Sequence, residues 1–380
     1  MKISHISPSY KPAYCYGGPT QSVSLLCEAL TEANVLSIEV LTTTANGNSD
    51  LPPSSALPVQ VDGVSTYYFP RLSKDHSHFC PKLLFHLLQK PRQQAHILHI
   101  HSWWNLVSML SCLLAKWKRL PVVLSPRGML SDYSFHHRKS PLKWLLHQTI
   151  GAKLLRYCHI HCTSEQERRE LLQFQDANRI SVIPNFIDLR VSTKGNRFNT
   201  DNKCFKMIFL SRIDPKKGLE LLFHALSKLD FRWSLTIAGT GNADYLLALQ
   251  QLAKELGISD AITWWGSADR SSKYQLMAAH DLLVLFSYNE NFGNVILESL
   301  LMGTAVAISE SVALADEVKR NDIGWISKLE ATDIAKNLYL AFRDGEKRER
   351  IRAAAPSLIR KNYNQALLTQ QYLQLYQRML

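Results

Sequence analysis

A chain of 380 residues that is 46% hydrophobic and 20% charged can bury a large core, which excludes an intrinsically disordered protein and suggests two domains. Its formal charge of +12 suits anionic small molecules, nucleic acid or an acidic membrane surface and does not separate them. The most apolar window, 106–117, is interrupted by Ser108, Ser111 and Lys116 and is too short to span a bilayer. Seven scattered cysteines and no signal peptide lead to the expectation of a reducing, cytoplasmic setting.

In the first half, strands are expected over 2–7, 37–43, 64–69, 97–101, 122–125, 158–163 and 180–183. Helical stretches lie between most of them, the first over 21–33, which is the pattern of a parallel sheet built from βαβ units. The loop after the first strand ends in Gly17-Gly18. Such a pair lets backbone approach a ligand closely, or is simply a flexible turn. His101 closes the strand 97–101 at the carboxyl edge where sites form, although a packed structural histidine is the commoner case. After the next strand, Ser125-Pro-Arg127-Gly128 offers Arg127 as a holder of an anionic or polyhydroxylated acceptor, or as an ordinary surface arginine.

The run 135–156 mixes basic and apolar residues, which suits either an anionic lipid surface or a solvated helix face. Cys158-His-Ile-His-Cys162 has the spacing of a strand with alternating faces and lacks the paired Cys-x-x-Cys of zinc sites. Ser164 and Glu167 then read as a capping box opening a helix.

The chain turns polar over 190–203, the candidate interdomain linker. A second βα series follows, with strands expected over 206–210, 234–238, 262–265, 282–286 and 305–308. Its first loop carries two cations, Arg212 and Lys217, a planar fork and a point charge that suit a pyrophosphate. Gly239-Thr-Gly241-Asn-Ala-Asp244 is a weak dinucleotide fingerprint, with Asp in place of the third glycine. After the fourth strand, Glu290 and Glu298 stand eight positions apart around a tight loop, with Asn294 expected as N-cap of a helix through 302 that ends at Gly303. Bare amides at that helix start suit phosphate, and Glu298, one turn in, suits ribose hydroxyls.

In this order, Gly17-Gly18, His99-Ile-His101, Pro184-Asn185, Arg212 with Lys217-Gly218, Gly239-Thr-Gly241 and Glu290-x-Phe-Gly-x-x-x-x-Glu298 resemble the retaining glycosyltransferases of group 1, or family 4, nearly end to end. Ser125-Pro-Arg-Gly128 is similar to members that build bacterial envelope polysaccharides. The resemblance implies an α/β protein of GT-B architecture, two Rossmann-like domains facing across a cleft. The acceptor-binding domain would span 1–188 and take back a C-terminal helix, 364–380, while the nucleotide-sugar-binding domain would span 189–363. It implies that Arg212 and Lys217 neutralise the leaving diphosphate. Amides of Phe292, Gly293, Asn294 and Val295, together with Gly239, would support the donor. Glu290 would orient sugar hydroxyls, Glu298 bind ribose, His101 touch the donor sugar, and Gly17 and Gly18 let backbone reach the diphosphate or acceptor. Arg127 is the acceptor-binding candidate. The chain departs from the family pattern after Gly303, at 304–314, and at Phe186.

The expected function is transfer of a hexose-type sugar, with retention, from a nucleotide-diphosphate sugar to a saccharide acceptor. That acceptor is expected to be lipid-linked, in cell-surface polysaccharide biosynthesis (lipopolysaccharide, O-antigen, capsule or exopolysaccharide) at the inner membrane face. No metal, no separate cofactor and no nucleic-acid partner are expected. A sugar-nucleotide epimerase, a phosphorylase and a catalytically idle partner subunit are the alternatives.

Overall fold

The β-branched and leucine-rich runs of the first half pair into an eight-stranded sheet, mostly parallel and buried on both faces. This is seen in a computed structural model that describes residues 1–55, 57–75, 77–90, 95–131, 133, 147–191 and 204–380. The basic run 135–156 and the linker 190–203 lie largely outside these residues. In chain order the strands are β1 (Lys2–Ser7), β2 (Ser37–Thr43), a separate short ladder of β3 (Ala45–Asn46) with β4 (Ser49–Asp50), then β5 (Val59–Val61), β6 (Val64–Phe69), β7 (His96–His101), β8 (Val122–Ser125), β9 (His159–Cys162) and β10 (Ile180–Val182). The sheet order is β10-β9-β8-β7-β1-β2-β6-β5. All neighbours are parallel except β5, which joins β6 as a hairpin through Asp62-Gly63, both at positive φ.

The second series forms a six-stranded parallel sheet of β11 (Phe205–Leu210), β12 (Trp233–Ala238), β13 (Ile262–Gly266), β14 (Leu282–Leu285), β15 (Ala305–Ser309) and β16 (Gly324–Ser327). Its order is β13-β12-β11-β14-β15-β16, a doubly wound arrangement that reverses direction between β11 and β14. The first sheet reverses in the same way between β1 and β7. Contacts divide the chain into two units, Met1–Phe186 with Gln365–Leu380, and Ile187–Asn364. Among the described residues no helix is long and apolar enough to cross a membrane.

The centre of unit 1 is polar. His5 on β1 lies opposite His99 on β7, and His101 stands opposite Ser125 on β8. His161 Nε2 donates to the carbonyl of Ile183 at 2.9 Å, which leaves its Nδ1 to accept from Ser125 Oγ at 2.7 Å. Ser125 Oγ then accepts from His99 Nε2 at 2.7 Å, and His99 Nδ1 accepts from Tyr376 Oη at 2.7 Å. One carbonyl thus sets the tautomer of two buried histidines, and the chain ends on the C-terminal helix Gln365–Gln377. That helix buries Leu368, Tyr372, Leu375 and Tyr376 in the core of unit 1.

The relay generates two predictions. Tyr376→Phe keeps the ring and leaves His99 Nδ1 without a donor, at an expected cost of about 1–2 kcal/mol in denaturant unfolding; an unchanged midpoint contradicts the relay. Burial holds His5 and His161 down at about 3, far below the ordinary imidazole value. The unfolded chain therefore binds more protons than the folded one between about pH 6.5 and 3, and their contribution, present above that range, is lost as pH falls. At pH 5 the loss is about 2 kcal/mol per histidine, read as a lower unfolding midpoint than at pH 7.5. A flat profile over that interval contradicts it.

Candidate active site

Unit 2 concentrates charge at the place where its sheet reverses. The loop 211–218 leaves β11 and the loop 286–293 leaves β14, and these two strands are neighbours. Ligands of open α/β sheets bind at such a point. Lys217 ends the short turn Pro215–Lys217, which Asp214 caps, and Gly218 then takes a left-handed φ of 68° to start the helix Leu219–Leu226. A Cβ on Gly218 would stand 2.3 Å from the Phe286 carbonyl oxygen, so glycine is what lets the two loops meet. Across that contact Lys217 forms an ion pair with Glu290. The Tyr288 amide donates to the Lys216 carbonyl at 2.9 Å, and the Ala313 amide donates to Glu290's carbonyl at 3.0 Å. Arg212 lies on the same loop with its side chain exposed.

The other expected donor residues lie close in sequence and have distinct surroundings. Gly293, at φ 85°, is the N-cap, and Asn294 is the first residue of the helix Asn294–Leu301, a correction to Asn294 as cap. The reason is steric: a Cβ at Gly293 would come 2.9 Å from Ile296 Cδ1, so the left-handed turn needs glycine and Asn294 falls inside the helix. The helix's own first turn holds no acidic residue, so Gly293, Asn294 and Val295 stand at its positive end, with the Glu290 side chain packed close to Gly293. Phe292 is buried with its ring edge against Tyr363. Glu298 is buried and accepts from Lys273 Nζ at 2.6 Å. Burial first, and the Glu298 charge second, push the neighbouring Tyr274 hydroxyl upward. Gly239 packs behind the Arg212 loop, since a Cβ there would meet the Ser211 carbonyl at 1.8 Å. Asp244 stands where the fingerprint wants glycine because it lies in the first turn of the helix Ala243–Glu255, capped by Asn242.

In unit 1 the reversal point gathers Gly17, Gly18, His101 and Arg127. Gly17, at φ 72°, caps the helix Gly18–Glu32, and Gly18 has open space where a Cβ would sit. His101 is fully buried, with Nε2 3.0 Å from His5 Nδ1 and Nδ1 3.4 Å from Arg127 Nη2. Burial, then the charges of its neighbours, hold it well below the ordinary histidine value, so it is neutral. Both ring nitrogens are engaged, so the structure presents no open imidazole nitrogen to a sugar. Arg127 adopts φ 53° and Gly128 φ 76°, and this left-handed pair is held by Glu167. The Glu167 carboxylate accepts from the Gly128 amide at 2.8 Å and from the Thr163 amide at 2.8 Å. Ser164 Oγ accepts from the Glu167 amide at 3.1 Å, as the expected capping box requires, and the Glu167 carboxylate also reaches the Thr163 amide one residue before the cap.

His5, His99 and His101 are the one group of three metal-ligand side chains found close together among the described residues. Both nitrogens of His99 are already bonded and Arg127 lies alongside, so the set fits a hydrogen-bonded core better than a cation site. Lys273 and Glu167 are the site neighbours that sequence reasoning missed. Lys273 signals itself only through a partner distant in sequence, Glu298, while the local capping-box spacing that marked Glu167 gave no sign of its bond to Gly128.

Residues 17–185 match the model of the glycosyl transferase 4-like domain, and residues 193–358 match that of glycosyl transferases group 1. The D-inositol 3-phosphate glycosyltransferase of Mycolicibacterium smegmatis is 33% identical over 171 residues, 41% of this chain and 39% of that protein. The chain thus spans less than half the length of the first curated relatives it matches. Among solved structures, HepE of Anabaena in complex with UDP and glucose has a TM-score of 0.76 at 18% identity, covering 100% of both chains. WaaG, a glycosyltransferase involved in lipopolysaccharide biosynthesis, has a TM-score of 0.72 at 14% identity, covering 97% of this chain and 98% of that one. With a 4-like domain followed by a group 1 domain on two doubly wound α/β units, the chain belongs to the group 1 glycosyltransferases of GT-B fold.

Proposed function

We propose that the chain is a retaining glycosyltransferase that moves a hexose-type sugar from a nucleotide-diphosphate sugar to a saccharide acceptor. The observation that carries the reading is the cluster at the reversal point of unit 2, where Arg212, the Lys217–Glu290 pair and the start of the helix Asn294–Leu301 lie on adjoining loops. Breaking a glycosyl phosphate bond leaves negative charge on the diphosphate and positive charge at the anomeric carbon. Cations and a helix N-terminus fixed beforehand stabilise the first of these with little reorganisation. Arg212 and Lys217 are assigned to the diphosphate, the turn 292–295 to the phosphate and sugar, and Glu290 to the sugar hydroxyls while it holds Lys217. Glu298, held by Lys273, is assigned to the ribose. These groups supply charge neutralisation without a metal, so a metal-independent reaction is part of the proposal. HepE was solved with UDP and glucose, which supports a uridine-type donor among the candidates.

On unit 1, Arg127 with the Gly17-Gly18 turn is assigned to the acceptor, and His101 acts through Arg127 by holding its guanidinium. The acceptor is proposed to be lipid-linked and to serve a cell-surface polysaccharide at the inner membrane face. Support for this comes from the Ser125-Pro-Arg-Gly128 segment, the basic run 135–156 and the likeness to WaaG.

Arg212→Ala and Glu298→Gln are the informative changes, since Arg212 is exposed and glutamine keeps the volume beside Lys273. Each is expected to weaken binding of the donor by about 30-fold, about 2 kcal/mol, in calorimetry across a nucleotide-sugar panel. Wild-type affinity in both variants rejects the assignment. Turnover of the donor to an isomeric sugar nucleotide without acceptor would move the reading to an epimerase.

A further inference from the structure

Three polar side chains meet in a buried corner of unit 2. Lys273 Nζ donates to Glu298 Oε1 at 2.6 Å, and both side chains are buried. The same ammonium lies 4.7 Å from the centre of the Tyr274 ring. The Tyr274 hydroxyl is sealed from solvent and has no hydrogen-bond partner among the described residues. Burial, then the Glu298 charge, push that hydroxyl upward, so it stays protonated beside the carboxylate. A buried ion pair gains little over apolar side chains of the same volume, and a buried hydroxyl without a partner is a net cost. A ligand that brings hydroxyls of its own offsets both.

The corner is held in place from several sides. Lys273 and Tyr274 lie on the helix Arg270–Ala278, whose first residue pairs with the buried Asp188. Near the other end of that helix, Thr304 Oγ1 donates to the Met277 carbonyl at 2.6 Å. Glu298 follows Asn294 by four positions on the helix Asn294–Leu301, so the two share a face. Helical side chains lean toward the helix start, which brings the Glu298 carboxylate back toward the turn 292–295. Groups mounted in this way lose little further freedom when a ligand arrives.

We propose that Lys273 and Tyr274 are specificity-determining residues of the donor site, which make the 2′-hydroxyl of the nucleotide obligatory and exclude 2′-deoxyribonucleotide donors. The inference rests on the assignment of Glu298 to the ribose and adds what its two neighbours do there. Lys273 fixes the orientation of the carboxylate and keeps its charge, so that it accepts from the vicinal hydroxyls of a ribose. A hydroxyl is donor and acceptor at once, and one that donates to Glu298 can accept from the Tyr274 hydroxyl. A 2′-deoxyribose satisfies neither contact and leaves a buried charge and a buried phenol short of a partner.

The test titrates the full chain by calorimetry with matched pairs: UDP and 2′-deoxy-UDP, ADP and 2′-deoxy-ADP, GDP and 2′-deoxy-GDP. At least one ribonucleotide is expected to bind about 30-fold tighter than its 2′-deoxy counterpart. Tyr274→Phe keeps the ring and removes the hydroxyl. It is expected to lower that ratio about fivefold by weakening the ribonucleotide alone. Lys273→Met keeps the length of the side chain and removes the charge, and is expected to lower the ratio to about threefold or less. A merely structural part for either side chain would weaken both members of a pair alike and leave the ratio standing. Where Lys273→Met fails to fold, the ratio in Tyr274→Phe decides alone. A wild-type ratio near one overturns the proposal and leaves nucleotide binding at these loops intact, and so does a ratio that neither variant changes. Absence of binding by every nucleoside diphosphate overturns the donor-site reading and this proposal together.

Discussion

The ion pair between Lys217 and Glu290 joins the loop after β11 to the loop after β14, at the one point of the second sheet where winding reverses. Most of what unit 2 offers to a ligand depends on that join. It holds only because Gly218 admits the Phe286 carbonyl at a distance no side chain tolerates, and because Gly239 and Gly241 let the next loop press against Ser211 and Ile213 from behind. Backbone contact of this kind fixes the loops more firmly than a half-buried ion pair does, since such a pair adds little net stability. The pair's contribution is to place a charge. In the proposed reaction, a diphosphate arriving at these loops meets an ammonium already held in position.

The two units solve the same geometric problem with opposite chemistry. Unit 2 sets carboxylates against lysines, Glu290 with Lys217 and Glu298 with Lys273. Unit 1 fills its reversal point with neutral imidazoles and one guanidinium. Burial keeps His5, His99, His101 and His161 uncharged, and a single carbonyl, that of Ile183, orders the hydrogen bonds that run to Tyr376. The C-terminal helix is therefore part of the construction of unit 1's centre, although it lies at the far end of the chain.

The doubly wound class was legible because parallel strands are buried on both faces and appear as short apolar runs, and the carboxyl-edge positions of Arg212, Lys217, Glu290 and His101 followed from that. Besides the two-residue strands β3 and β4, two strands of the main sheets were missed for physical reasons. β5 is largely exposed and only three residues long, and its one signal was the Asp62-Gly63 turn. β16 begins at Gly324, whose missing side chain reflects its close approach to the Val306 carbonyl and carries no strand propensity of its own. Long-range partners were not legible at all. Nothing near Glu298 in sequence announces Lys273, and the burial of His101 between His5 and Arg127 depends on strand order that local pattern does not encode.

The central claim is that the loops 211–218 and 288–298 together form the donor site. Hydrogen–deuterium exchange of the full chain, with and without each member of a nucleotide-diphosphate sugar panel, tests it most directly. The account expects at least one sugar nucleotide to slow exchange in both segments together, with the amides at 293–295 among those protected. Protection confined to other segments, or none with any nucleotide sugar, would contradict it.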